Sequence, residues 1–115
     1  MQVKDILETL EIAPRPGDDA ERELAREVTG GYASDLLSDV MGHAREGQVW
    51  ITLQTHKNVV AIASLKELAA VVLVKNREPD EDTAAAARAE GIPVLTTPLD
   101  AFEAGGRLYR LLRGA

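Results

Sequence analysis

The chain contains no cysteine, which excludes disulfides, thiolate metal sites and cysteine nucleophiles and fits a reducing cytoplasm. Aromatic residues are scarce: Tyr32, Trp50, Phe102 and Tyr109 are all there are. A stacking platform for single-stranded nucleic acid needs more rings than that. Basic residues are also in deficit, 13 against 19 acidic ones, for a formal net charge of −6. Nucleic acid and anionic membranes both demand a positive surface, so neither is an expected partner. No apolar run approaches the roughly 20 residues of a membrane helix, and Met1-Gln2-Val3-Lys4-Asp5 lacks the basic-then-apolar pattern of a signal peptide. No glycine is followed by lysine, so the phosphate-binding lysine loop of ATP hydrolases and kinases is missing. There is no G-x-G-x-x-G either. The two histidines, His43 and His56, have no cysteine partners and give no zinc signature. Ser34 lacks the G-x-S-x-G elbow, so Ser34, Asp35 and His56 do not read as a catalytic triad. No catalytic residue and no cofactor are expected.

What is present is a globular pattern. With 115 residues, 45% of them hydrophobic, the chain is long enough for one domain over 1–115 with its own core. Val3, Ile6, Leu7 and Leu10 fall at helical spacing, and Pro14 ends that segment. Arg15-Pro16-Gly17-Asp18-Asp19 reads as a turn. Residues 20–27 are charged and suit a helical turn. Val28-Thr29 is β-prone and runs into Gly30-Gly31, which reads as a strand-to-helix turn. Ser34 or Asp35 then caps a helix striped by Leu36, Leu37, Val40, Met41 and Ala44 and closed by Gly47. A regular rhythm follows. Residues 49–54 and the continuous apolar run 70–74 are strands; 57–66 and 80–90 are helices, the second ended by Gly91. Residues 93–97 are a last strand, and Phe102, Gly105, Leu108, Tyr109 and Leu112 stripe a terminal helix. Alternating strands and helices with short connections specify an α/β fold with a mainly parallel sheet flanked by helices in three layers.

In such sheets, ligands bind beyond the carboxyl ends of the strands. Those ends are Gln54-Thr55-His56, Lys75-Asn76-Arg77 and Thr96-Thr97, each preceding a helix start where unpaired backbone N–H groups favour anions. Thr29-Gly30-Gly31 would supply a fourth turn of bare backbone. The candidate ligand-binding set is therefore Thr29, Gly30, Gly31, Gln54, Thr55, His56, Arg77, Thr96 and Thr97, with Lys57 adding charge. Plainer roles stand beside each. Thr55 and Thr97 are ordinary helix caps, His56 suits a capping position, and two glycines serve close packing as readily as ligand approach.

Thr29-Gly30-Gly31-Tyr32 through Leu36-Leu37-Ser38-Asp39-Val40-Met41, with Val49-Trp50-Ile51-Thr52, Asn58-Val59-Val60-Ala61 and Gly91-Ile92-Pro93-Val94-Leu95-Thr96-Thr97, resembles the DRTGG-domain family over nearly the whole chain. Thr29-Gly30-Gly31 match the last three letters of the name-giving motif, and Glu27-Val28 stand where Asp-Arg would be. The resemblance implies a fold similar to the N-terminal, non-catalytic domain of HPr kinase/phosphorylase. It also implies a regulatory role like that of the related segments of phosphotransacetylases and CBS-domain pyrophosphatases. Implied partners are a second copy of the chain and a small anionic ligand such as an adenine nucleotide. A pure interaction module without a small ligand is the alternative, and a phosphotransferase or hydrolase a more distant one.

Overall fold

Three β-branched or apolar runs define the centre of the molecule. In the computed structural model, which describes residues 1–13 and 20–114, β2 (Gln48–Thr52), β3 (Ala70–Leu73) and β4 (Val94–Thr96) lie side by side and parallel, and β1 (Gly30–Ala33) adds an outer strand beside β2. The order is β1-β2-β3-β4, so every crossover steps to the next strand in the same direction. Right-handed crossovers then place the connecting helices α2 (Leu37–His43), α3 (Asn58–Leu65) and α4 (Glu81–Glu90) together on one face. The short α1 (Ala20–Leu24) precedes the sheet, and α5 (Ala101–Arg113) returns across the opposite face onto β1 and β2.

Strand alternation sorts the core into two layers. Trp50, Val71 and Leu73 point toward α2, α3 and α4, where they join Val40, Val59, Val60 and Ala87. Val49, Ile51, Ala70 and Val72 point the other way, toward Ala104 and Leu108 of α5 and toward Val3, Ile6 and Leu10. Val71 to Val74 are all fully buried, which is why this stretch reads as an unbroken apolar run rather than an alternating one. The expected three-layer α/β architecture is thus the observed one.

Four local expectations need correction. The amino-terminal segment is not an α-helix: Val3–Ile6 form a 3₁₀ turn, followed by further turns to Glu11, which has φ 54°. An i, i+3 apolar spacing is served equally well by the tighter helix, and the segment is tied down at its start by Val3 N–H to Arg26 O (2.9 Å) and Val28 N–H to Met1 O (2.8 Å). Second, Thr29-Gly30-Gly31 is not a strand-to-helix turn. The glycines are themselves the first half of β1, and the turn lies at Ser34–Leu36, where Ser34 Oγ accepts from Leu36 N–H at 3.2 Å. Third, α2 starts only at Leu37, with Val40 and Ala44 buried but Leu36 and Met41 exposed. Gly47 does not close α2; it precedes β2 with φ 82°, packed so tightly that a Cβ there would lie 2.6 Å from Thr29 Oγ1. Fourth, the buried stripe of α5 is Ala104 and Leu108, while Phe102 is 88% exposed and Tyr109 59%. The predicted turn at Arg15–Asp19 lies outside the described residues.

Gly31 has a packing role of its own. A Cβ on it would come within 2.8 Å of Leu108 Cδ2, so the absence of a side chain lets α5 settle on β1. Gly31→Val is expected to force Leu108 aside at a cost of about 1–3 kcal/mol, read as a lower midpoint in urea unfolding. Unchanged stability would show that α5 does not rest on this glycine.

Candidate ligand-binding site

The carboxyl ends of the adjacent strands β2 and β3 carry polar loops, half-buried at Gln54 and Thr55 and exposed at His56, Lys57, Lys75, Asn76 and Arg77. The loop after β2 presents Gln54, Thr55, His56 and Lys57; the loop after β3 presents Lys75, Asn76 and Arg77. The two loops are stitched together through Thr55 O, which accepts from Thr83 Oγ1 at 2.7 Å and from Asp80 N–H at 3.2 Å. The β2 end is also anchored to β1. Asp35 Oδ1 accepts from Thr52 Oγ1 (2.8 Å) and from Leu53 N–H (2.7 Å), and Gln54 Nε2 donates to Asp35 O (3.0 Å).

His56 caps α3: its Nδ1 accepts from Asn58 N–H at 3.2 Å, and its carbonyl accepts from Val59 N–H at 3.0 Å. A neutral ring that accepts at Nδ1 carries its proton on Nε2, so this exposed histidine keeps an outward donor while it caps. Lys57, immediately before α3, is exposed beside it, and Arg77 is exposed on the neighbouring loop.

Lys75 and Asn76 are both left-handed, each at φ 59°. Asparagine tolerates that region and lysine does so at a cost. Here the pair is held by Lys75 N–H to Leu99 O (2.8 Å) and Asn76 N–H to Thr97 O (2.9 Å). The resulting bend turns the chain sharply at the end of β3 and brings Arg77 O to within 2.9 Å of Thr96 Oγ1, which donates to it.

Thr96, which ends β4, and Thr97, which follows it, are occupied by the fold. Thr97 is fully buried; its hydroxyl donates to Leu10 O and accepts from Leu99 N–H. Its role is to tie the amino-terminal segment to the end of the sheet. Thr96 orders the Arg77 loop.

Thr29, Gly30 and Gly31 are not brought into this group. Gly30 pairs with Gln48, six residues before Gln54, which is roughly 20 Å along the sheet. Thr29 sits at the amino ends of the strands, donating from Oγ1 to Glu46 O at 2.9 Å. It lines a cleft of about 590 Å³ shared with Arg26, Glu27, Glu46, Glu67 and Glu90. That end of the molecule is carboxylate-rich, and an anion there would meet repulsion. The Glu46 carboxyl is raised above the ordinary range by the hydrogen bond and charge of Glu67. A group whose folded pKa is raised contributes most stability below its unfolded pKa and loses that contribution as pH rises through the folded value. Glu67→Gln is therefore expected to return Glu46 to the ordinary range and to raise the thermal midpoint at neutral pH, with little change in acid. Equal gains at both pH values would contradict the coupling.

Sequence reasoning missed two features nearby. Asp35, expected as a helix cap, instead braces the β1–β2 junction. Tyr32 Oη donates to Asp39 Oδ2 at 2.8 Å, which raises the phenol; the same bond, then Ser34 and the His43 charge, hold the Asp39 carboxyl below its usual range. Spacing alone gave no signal for either, because both partners come from different elements. Among the described residues no group of three or more His, Asp or Glu is placed to hold a metal ion, and no helix is long and apolar enough to cross a membrane.

Comparison with known proteins gives two findings. The family profile described as the DRTGG domain matches residues 16–111. A solved structure of similar fold is the crystal structure of the CBS and DRTGG domains of the regulatory region of Clostridium perfringens pyrophosphatase, complexed with its activator diadenosine tetraphosphate. It superposes with a TM-score of 0.70 at 19% sequence identity, covering 92% of this chain and 44% of that one. The chain therefore spans less than half the length of that structure. No curated protein sequence matches the chain.

Proposed function

This chain belongs to the DRTGG-domain family, and from that premise we propose that it is a regulatory, non-catalytic domain that senses an anionic ligand of the adenine-nucleotide class. The observation that carries the reading is the convergence of cations. In a chain of net charge −6, Lys57, Lys75 and Arg77 stand with His56 on two adjacent loops at the carboxyl ends of β2 and β3, with Glu78 and Asp80 following on the second loop. The α3 start adds the positive end of a helix dipole. Polyphosphate would engage Lys57, Arg77 and the outward His56 Nε2, and Gln54 and Asn76 offer amides to a base or ribose. The relative in Clostridium perfringens takes diadenosine tetraphosphate as an activator of its regulatory region, which supports the ligand class.

Calorimetric titration with AMP, ATP, diadenosine tetraphosphate and inorganic phosphate tests the reading. Saturable heat with an adenine nucleotide, and a weaker response to phosphate alone, is expected. No heat and no thermal shift with any of them would remove the ligand-sensing role.

Pairing with a second copy of the chain belongs to the same reading. One observation favours it: α5 carries Phe102 and, beneath the Arg113 guanidinium, Tyr109 on an exposed face.

A further inference from the structure

We propose that Lys75 is the side chain that anchors the phosphate of the ligand, presented by a two-residue left-handed bend. The loop after β3 then recognises an anion through side chains and not through backbone N–H groups. The proposal rests on the reading that the carboxyl ends of β2 and β3 take an anionic ligand, and it names the residue and the mode of contact.

The backbone comes first. Lys75 and Asn76 follow the fully buried run that ends at Val74, and they are consecutive left-handed residues, each at φ 59°. A residue with a Cβ is strained in that region, and lysine lacks the short polar side chain that eases asparagine there. Such strain persists only where the surroundings over-determine the backbone. Here Lys75 N–H donates to Leu99 O (2.8 Å), Asn76 N–H to Thr97 O (2.9 Å) and Arg77 N–H to Val74 O (3.2 Å). Thr97 is itself fully buried, with its hydroxyl between Leu10 O and Leu99 N–H. All three N–H groups of the bend are committed to the fold, and none is left for a phosphate.

The side chain comes second. Elsewhere the chain meets left-handed positions in one of two ways. Gly47, Gly91 and Gly114 have no Cβ to strain. Glu11 and Glu67 put their side chains to use within the fold: Glu11 Oε2 accepts from Arg107 Nη1 at 2.9 Å, and Glu67 is hydrogen-bonded to Glu46. Lys75 does neither. It is exposed, and among the described residues its ammonium has no hydrogen bond and no ion pair. Glu78 and Asp80 follow on the same loop, yet Glu78 Oε2 accepts from Thr96 Oγ1 (3.4 Å) and Lys75 stays unpaired. A strained position that glycine would occupy at ease thus carries a charge the fold does not use. An outlier of that kind points to function.

Register sets the place. Thr52 of β2 pairs with Leu73 of β3, and Leu73 with Thr96 of β4. Lys75 therefore stands just past the end of an inner strand, at the middle of the carboxyl edge of the sheet, where parallel sheets hold their ligands. A lysine ammonium is a compact point charge that suits a phosphate oxygen.

Calorimetric titration of the full chain with AMP and ATP, paired with thermal unfolding, tests the proposal. Lys75→Asn removes the charge and suits the left-handed backbone. It should unfold at or above the wild-type temperature and bind ATP at least about tenfold more weakly, with a smaller loss for AMP. Lys75→Arg, as strained as lysine, should keep affinity within about threefold. A Lys75→Asn variant that binds ATP within about twofold of a binding wild type would overturn this proposal and leave the site reading standing. A Lys75→Asn variant that unfolds several degrees lower would show that the lysine serves the fold and would also overturn it. A wild type that binds neither nucleotide would remove the site reading and this proposal together.

Discussion

Replacing Trp50 with alanine is expected to destabilise the fold by ~3–5 kcal/mol, the largest single-residue effect in this chain. Trp50 is fully buried. It stands in the middle of β2, between Tyr32 of β1 and Val71 of β3 in register, and fills the layer beneath α2 and α3. Its indole Nε1 donates to Ser34 O at 2.8 Å, which fixes the bend that ends β1. The alanine variant therefore loses a large apolar volume and leaves a part-buried carbonyl without its donor. Domains of this size are stable by only about 5–15 kcal/mol, so the thermal midpoint should fall by about 10–20 °C, measured by circular dichroism because the only tryptophan is gone. Trp50→Phe should recover much of the packing and none of the hydrogen bond, and fall between the two. A loss below about 1 kcal/mol for the alanine variant would contradict the burial described here.

Reversing two charges, Lys57→Glu with Arg77→Glu, is expected to lower affinity for diadenosine tetraphosphate by at least about 100-fold. A hydrogen bond to a charged group contributes about 1.5–3 kcal/mol, and each 1.4 kcal/mol is about tenfold in affinity. Two such contacts multiply to that figure before the new repulsion is counted. Both side chains are exposed, so the double variant should fold as the wild type does and unfold at nearly the same temperature. Affinity of the wild type should also fall with added salt, since the contacts are screened at the surface. The control is Glu27→Lys at the opposite end of the sheet. It should leave affinity within a factor of about two, because roughly 20 Å and the Debye length separate it from the ligand. Equal loss in both variants would mean that general charge, not this loop pair, governs binding.

The centre of this fold was legible because its residues serve one purpose each. Val71 to Val74 are buried on both faces and show it as an uninterrupted apolar run. Gly91 ends α4 in the left-handed region at φ 67°, the role its position suggested. The edge was not legible. Gly30 and Gly31 have poor strand propensity, and they form β1 because β2 offers a ladder and Leu108, far along the chain, occupies the space a side chain would take. In α5 both helix faces carry apolar residues, so periodicity could not tell Ala104 and Leu108, which are buried, from Phe102 and Tyr109, which are not.

The candidate site divides along the same line. Gln54, Thr55, His56 and Arg77 follow directly from strand ends that the sequence marks, and they lie at the same end of the sheet. Thr97 was visible as a polar residue at a strand end, but its hydroxyl is committed to Leu10 O and Leu99 N–H. Only the tertiary position of the amino-terminal segment reveals that. The consecutive left-handed residues Lys75 and Asn76 carry no sequence mark, since neither is glycine. Thr29 was grouped with the strand ends because its glycines resembled a turn, and it stands at the other end of the sheet among carboxylates.

Backbone amide chemical shifts in a titration with diadenosine tetraphosphate test the central claim most directly, because they locate the ligand as well as detect it. Progressive, saturable changes are predicted at His56, Lys57 and Asn58 and at Lys75, Asn76 and Arg77, with Thr29, Gly30, Gly31 and Gly47 unmoved. Saturable changes centred on Thr29 to Gly31, or none anywhere at millimolar ligand, would contradict it.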